Sequence, residues 1–234
     1  MKIHHNTLKL VEMSKSFSQG GQETKVLEKI TYTFEHGRSY IITGASGAGK
    51  STLLHLLAGI ERPTQGNAYL GDQDIHGMTQ SDLRVHMGIV FQVPHLIDEL
   101  TLVENVMIKG LIGGQDYYEA SAKALPLLKR VGLAAKADCR PRTLSGGEQQ
   151  RISVARALYG EPSFILADEP TAHLDQITRD EILSFLLEGP QGVIIVSHDN
   201  SISQRLEVAL ELVSGKLRQI NLYTPPDTYK VTHV

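Results

Sequence analysis

The sequence predicts an α/β protein built on a parallel sheet, and three observations carry that expectation. A short apolar run, Ser39 to Thr43, leads into the glycine-rich stretch Gly44-Ala45-Ser46-Gly47-Ala48-Gly49-Lys50-Ser51, as a buried parallel strand feeding a tight turn would. Behind the glycines, Lys50 to Ala58 carries Leu53, Leu54, Leu56 and Leu57, which predicts a helix buried on most of its surface. Strands and helices then alternate, the pattern of a sheet covered by helices.

Taken in order, Leu8 to Met13 and Ile30 to Phe34 alternate enough to be strands, separated by the polar, glycine-bearing stretch Ser18 to Lys25. Gly59 and Pro63 stop the leucine-rich helix. Tyr69 to Leu70 and Ile89 to Phe91 read as further strand material. From about Pro94 to Arg142 the character turns helical, with helices over Val103 to Leu111 and Tyr117 to Val131 and breaks at Gly113-Gly114 and Gly132. A helix over Gly146 to Tyr159 follows, closed by Gly160 and Pro162, then a strand over Phe164 to Asp168. Thr178 to Leu187 is a helix, Val193 to Ser197 a strand, and Val208 to Ile220 a hairpin turning at Ser214-Gly215. From Thr224 onwards no regular structure is expected.

At 234 residues, 41% hydrophobic and 21% charged, the chain is long enough for one domain with a substantial core and is not of disordered composition. A net charge of -3 offers no basic excess to neutralise a phosphate backbone, so no nucleic-acid partner is expected. The single cysteine, Cys139, excludes an internal disulfide framework and reads as a small side chain in a helical region. No apolar run approaches the ~20 residues that span a bilayer, and Met1 to Thr7 lacks an apolar signal region. Direct membrane insertion is therefore not expected, and any membrane association would come through a partner. Histidines His4, His5, His86 and His95 form no metal-ligand spacing.

The stretch Gly44 to Ser51 satisfies G-x-x-x-x-G-K-[ST]. Glycines let backbone N–H groups turn inward around a β-phosphate, and the following helix adds its positive end. Lys50 would reach the β- and γ-phosphates and the Ser51 hydroxyl would sit on Mg²⁺. With glycine near ~7% of residues, chance produces such a match roughly once in a hundred chains of this length. Asp168 and Glu169 follow four apolar residues and project from a buried strand end. Asp168 suits holding the metal through water, and Glu169 can polarise an attacking water as general base. The bland alternative is an acidic pair capping a helix that starts at Pro170.

Thr143-Leu144-Ser145-Gly146-Gly147-Glu148-Gln149-Gln150-Arg151 contains a capping box, S-x-x-E, which accounts for Ser145 and Glu148. It leaves Gly146-Gly147 unexplained, because glycine in a helical turn costs up to ~1 kcal/mol relative to alanine. Side-chain-free residues there admit a phosphate close to exposed N–H groups. One nucleotide needs only one phosphate loop, so the second surface suggests two copies of the chain sandwiching two ATP molecules.

Together these segments resemble the nucleotide-binding subunit of ATP-binding-cassette (ABC) transporters, from about Leu8 to Leu217. The resemblance rests on the phosphate loop, Gln92 after an apolar strand, the LSGGEQQR stretch, Asp168-Glu169, Ala172-His173-Leu174-Asp175 and His198 after Val193 to Ser197. It implies a P-loop NTPase (RecA-like) parallel-sheet core with an N-terminal antiparallel β subdomain and an inserted α-helical subdomain. One domain would span 1–234, with 7–92 and 155–222 as β subdomain plus core, 93–154 as the helical subdomain and 223–234 as a tail. It assigns catalytic roles to Glu169, His198 and Gln92, and metal contacts to Ser51, Gln92 and Asp168. Nucleotide contacts fall to Phe17, Val26, Gly44, Ala45, Ser46, Gly47, Ala48, Gly49, Lys50, Ser51, Thr52, Ser145, Gly146, Gly147, Glu148 and Asp175. Among these, Ser145 and Gly147 would touch the γ-phosphate on the opposite copy, and Asp175 would cross the dimer interface. Phe17 takes the place of the aromatic that stacks on adenine; its alternative is a core phenylalanine.

The extended loop after Phe17, Gly59-Ile60-Glu61-Arg62-Pro63, Phe91 to Leu96 and Leu100 to Val106 are similar to one subgroup, the ATPases of lipoprotein-releasing systems, macrolide-type exporters and the cell-division ATPase. The segment Thr171-Ala172-His173 departs from the family's more usual version. The resemblance implies a peripheral ATPase on the cytoplasmic face of the inner membrane that drives an integral membrane permease. A mechanotransmitter regulating cell-wall enzymes is the alternative. A soluble DNA-repair or translation ATPase is disfavoured, because Lys50 to Ser145 holds no long insert and no CxxC.

Overall fold

In the computed structural model, described over residues 7–220, two sheets close on one helix. The smaller, antiparallel sheet joins β1 (Thr7–Gln19), β2 (Gln22–Glu35), β4 (Gln65–Leu70) and β5 (Gln73–Asp74) in the order β2-β1-β4-β5. The larger has the order β10-β9-β3-β8-β7-β6. In it β3 (Ser39–Thr43), β6 (Met87–Val90), β7 (Phe164–Asp168), β8 (Gly192–Val196) and β9 (Val208–Val213) run parallel, while β10 (Lys216–Ile220) pairs antiparallel at one edge. Every residue of β3 and β8 is buried, which is why these strands read as unbroken apolar runs. Between the sheets lies α1 (Lys50–Leu57), whose Leu53, Leu54, Leu56 and Leu57 are all 0% exposed. They pack in one cluster with Leu8, Phe34, Leu70 and Leu166, each leucine contributing ~1.5–3 kcal/mol by burial. The phosphate-loop helix is therefore fixed on both sides.

A second cluster covers the opposite sheet face with α6 (Gln176–Leu187) and the apolar side of α5 (Gly146–Leu158). The helical region adds α3 (Leu102–Ile112) and α4 (Tyr117–Arg130), and with α5 they enclose a third cluster that includes Val106, Ala124, Leu128 and Ile152. Thr101 and Glu104 close a reciprocal capping box at the start of α3. Asn105, fully buried, donates to the carbonyls of Ile97, Leu100 and Thr101 and accepts from Ile97 N–H. It fixes the irregular chain ahead of α3.

Differences from expectation fall where burial signals are weak. The stretch Ser18 to Lys25 is not a polar separator: β1 and β2 pair through it, with Phe17 opposite Thr24 and Ser18 opposite Glu23. They turn at Gly20-Gly21, both at positive φ (61° and 80°). Both faces are exposed there, so no alternation marks the strands. Helix α2 (Gln80–His86) escaped notice because Leu83 is its one buried residue. Pro126 sits inside α4 without ending it. Cys139 is exposed, beyond the single 3₁₀ turn Ala134–Lys136 rather than in a helix. The hairpin turn at Ser214-Gly215 stands as expected, at φ 50° and 74°. The tail at 223–234 lies outside the described residues.

Lys109 of α3 reaches into the seam between the helices and the sheet, where its Nζ donates to Tyr159 O at 3.2 Å. Burial lowers its pKa from 10.5 to about 8, so the folded chain binds fewer protons than the unfolded chain between those values. Its contribution to stability therefore grows as pH rises above about 8 and is lost below it. Urea unfolding of wild type and Lys109→Met should show the stability difference moving in favour of wild type by about 2 kcal/mol between pH 7 and pH 9.5. A pH-independent difference would mean that the ammonium is solvated.

Candidate functional site

Register builds the site. Ile42 of β3 and Asp168 of β7 both lie opposite Val196 of β8. The chain continues the ladder past the strand ends, with Ser197 N–H donating to Ile42 O at 3.2 Å and Glu169 N–H to Val196 O at 2.9 Å. The glycine loop, Asp168-Glu169 and Ser197-His198 thus emerge side by side at the carboxyl edge of one parallel sheet, where open α/β sheets bind ligands.

Gly44 and Gly49 are required by shape. At φ 147° a Cβ on Gly44 would lie 2.5 Å from Leu212 O, and at φ 97° one on Gly49 would lie 2.5 Å from Val26 Cγ1. Gly47 also has positive φ, yet nothing surrounds it within 4 Å, so it needs glycine for its backbone and not for space. Ala48 N–H closes the turn onto Ala45 O at 3.1 Å, and Ser46 is exposed at the loop's outer side. Helix α1 starts from Gly49 with no side-chain cap, so its first N–H groups remain available to an anion. Lys50 is 8% exposed, and its ammonium donates to Gly44 O at 2.9 Å and Ala45 O at 3.0 Å. A buried ammonium held only by carbonyls, beside uncapped N–H groups, matches what a polyphosphate requires. Ser51 and the half-buried Thr52 follow in the first turn.

Burial raises the Asp168 carboxyl above the usual range, opposed by a hydrogen bond from Ser51 and by the charges of His55 and Lys50. A half-buried carboxylate bonded to the Ser51 hydroxyl is a donor set suited to Mg²⁺. Glu169 is not the helix cap of the alternative reading. It sits at φ 44° and accepts from Ser197 Oγ at 2.9 Å, His198 N–H at 2.9 Å and His198 Nδ1 at 2.7 Å. His198 is otherwise exposed. Gln92 is exposed just past β6, two residues beyond Val90, which pairs with Ala167.

The second glycine pair divides. Ser145 and Glu148 form the expected capping box at α5. A Cβ on Gly147 would stand 2.9 Å from Thr178 Cγ2, whereas one on Gly146 would meet nothing within 4 Å. Packing therefore accounts for Gly147, and Gly146 opens to solvent. Thr178 is in turn held by Asp175, which caps α6 by accepting from Thr178 N–H at 3.0 Å and Oγ1 at 2.8 Å. Among the described residues no hydrogen bond joins Ser145 to Gly147 with the glycine loop of the same chain. Phe17 is 41% exposed, with Lys15 Nζ 4.8 Å from its ring centroid, so it is not a core residue. Val26 packs against Gly49.

Gln150 is a contributor that sequence reasoning passed over although it lies inside LSGGEQQR. It is 3% exposed and its Nε2 donates to Phe91 O at 3.2 Å and Pro170 O at 3.0 Å. Ser197 and Lys136 were also passed over; neither has a sequence signal apart from its fold neighbours.

The family model described as ABC transporter matches residues 27–172. The chain belongs to that family, as an ATP-binding and ATP-hydrolysing cassette. It is 40% identical over 216 residues to the lipoprotein-releasing system ATP-binding protein LolD of Xanthomonas campestris pv. campestris, covering 89% of this chain and 90% of the relative. The LolD of Xanthomonas axonopodis pv. citri is 39% identical over 216 residues, covering 89% and 88%. Among solved structures, the dimeric post-hydrolysis state of the ATP-binding cassette MJ0796 bound to ADP and Pi superposes with a TM-score of 0.84 at 32% identity. That match covers 93% of this chain and 99% of the other. A second dimeric structure of MJ0796, a bacterial ABC transporter cassette, matches equally, with TM-score 0.84 and 32% identity.

Because its folded pKa is raised by burial, Asp168 stabilises the chain fully only below its ordinary range, and that contribution is lost as pH rises through the folded value. Asp168→Asn should therefore melt higher than wild type in the nucleotide-free protein at pH 8, with the gain shrinking towards pH 4. Thermal melts at both pH values decide it, and a variant less stable at pH 8 would show that Asp168 is needed for structure.

Proposed function

We propose that two copies of this chain close face to face around two ATP molecules and use hydrolysis to drive an integral membrane permease of the lipoprotein-release or macrolide-export type. What supports this reading is that each chain has two glycine-bearing helix starts, of α1 and of α5, and only that of α1 lies beside the carboxylates. The start of α5, where Gly146 is open to solvent and no hydrogen bond among the described residues joins Ser145 to Gly147 with the chain's own glycine loop, would complete the other copy's site. Both solved MJ0796 neighbours are dimers, one with ADP and Pi.

In each site Lys50 and the uncapped turn of α1 hold the β- and γ-phosphates, with Ala45, Ser46, Gly47, Ala48 and Thr52 around them. Phe17 stacks on the adenine over Val26. Ser51, Asp168 and Gln92 would hold Mg²⁺, which supplies charge neutralisation on the β- and γ-oxygens. Glu169 takes a proton from a water as its oxygen bonds to the γ-phosphorus and the bond to the ADP oxygen breaks. His198, tethered to Glu169, reaches the γ-phosphate. Ser145, Gly146, Gly147 and Glu148 of the opposite copy close the site, and Asp175 crosses the interface between them.

No described helix is long and apolar enough to cross a membrane, so work on a membrane must pass through a partner. The segment from Gln92 to Leu96 and the helices α3 and α4 are the route, since Gln150 ties Phe91 to the carboxylate turn. The likeness to ATP-binding proteins of lipoprotein-releasing systems supports a membrane partner.

Glu169→Gln should slow ATP turnover ~10²–10⁴-fold while ATP-Mg²⁺ drives the protein to a dimer by light scattering. Undiminished hydrolysis would remove Glu169 from its role, and a variant that binds ATP yet stays monomeric would sink the sandwich.

A further inference from the structure

Resting on the sandwich reading, one feature of the α5 start calls for a chemical account. The third residue of that helix, Glu148, is acidic, yet the helix start must accept a triphosphate. Its Oε2 is used by the cap, accepting from Ser145 N–H at 3.0 Å and Ser145 Oγ at 3.3 Å. Either Glu or Gln satisfies such a cap, so the capping geometry does not require the negative charge. Like charges meeting at an interface oppose association.

The geometry points to Lys136 as the residue that makes this acidic helix start able to receive phosphate, by neutralising Glu148 at the trans face of the ATP site. Lys136 ends the 3₁₀ turn Ala134–Lys136, and its Nζ lies 2.6 Å from Glu148 Oε1, the oxygen that the cap leaves over. The 3₁₀ turn is fixed independently of the pair. Leu133 N–H donates to Leu128 O at 2.8 Å and Val103 N–H to Ala137 O at 3.0 Å, with Leu133 buried in the helical cluster. The packed helical region therefore fixes the backbone from which the Lys136 side chain, 44% exposed, reaches Glu148. The neighbouring cation Arg140 is engaged elsewhere, donating to the carbonyls of Asp98 and Glu99. The Lys136 hydrogen bond is also the foremost cause of the lowered Glu148 pKa, so the carboxylate stays charged and in need of its partner. Lys136 is a positioning and charge-compensating residue: it touches Glu148, and the phosphate meets a neutral pair instead of a carboxylate.

The test is a double-mutant cycle in the hydrolysis-blocked Glu169→Gln protein, reading by light scattering the ATP concentration that gives half-maximal dimer. Lys136→Ala should raise that concentration roughly three- to tenfold at low salt, with the increase shrinking at high salt. In the Glu148→Gln background, which keeps the cap and removes the carboxylate charge, Lys136→Ala should cause no further increase. A loss that persists in the Glu148→Gln background overturns the proposal, because Lys136 would then be contacting phosphate or holding the fold. No loss on Lys136→Ala alone overturns it too. Thermal melts of the single variant separate unfolding from loss of affinity. A Glu169→Gln parent that binds ATP without dimerising overturns the sandwich itself, and the role of Lys136 falls with it.

Discussion

Everything at this site depends on the alignment of three parallel strand ends. Because Ile42 and Asp168 share Val196 as their partner on β8, the segments that leave β3, β7 and β8 start at one level. The two backbone bonds beyond the ladder, Ser197 to Ile42 and Glu169 to Val196, extend that alignment by one residue into the functional turns. A one-residue slip of β7 would turn Asp168 to the other face of the sheet. Because β3 and β8 are buried on both faces, a slip is opposed by the close packing over them, which a one-residue shift would force apart.

The same edge carries local strain, and the structure around it explains why it holds. Glu169 occupies left-handed backbone at φ 44°, a conformation that costs a non-glycine residue roughly 1–2 kcal/mol. Its N–H is tied to Val196, and its carboxylate takes three hydrogen bonds from Ser197 and His198. Charge-assisted bonds of this kind are about twice as strong as neutral ones, enough to offset the strain. In the proposed mechanism the carboxylate would thereby be aimed before substrate arrives, leaving little reorganisation for the reaction.

How much of this is legible in the sequence follows from how each feature is encoded. The parallel core is plain because β3, β7 and β8 are buried on both faces and read as apolar runs. The glycine loop is plain because Gly44 and Gly49 meet backbone or side-chain atoms at 2.5 Å, which no other residue could tolerate. The distal half of the β1–β2 hairpin, by contrast, is held by backbone pairing alone, so its side chains carry no period. Helix α2 has the same defect, one buried leucine in seven residues. At the site, contact with Thr178 gives Gly147 a packing reason that linear spacing does not show. Gln150 and Lys136 act through partners 59 and 12 residues away, and no spacing in a linear chain announces such contacts.

Gln150 also settles how the helical region is joined to the chemistry. Its amide bridges the carbonyl of Phe91, which precedes Gln92, and that of Pro170, which follows Glu169. Its Oε1 has no partner among the described residues, so the donor side of the amide carries the connection. Arg156, one helical face further along, donates to the carbonyls of Pro94 and His95, and its own pKa is lowered by burial. Four carbonyls from two loops thus hang on two side chains of α5, the helix whose first turn forms the capping box. Displacement of that first turn must therefore move Phe91 to His95 and the carboxylate turn, or break buried hydrogen bonds at ~1–3 kcal/mol apiece. In the proposed sandwich, a rigid helix with its first turn at the interface and the Gln92 segment fastened along its side would turn occupancy of that interface into motion of the surface offered to a partner.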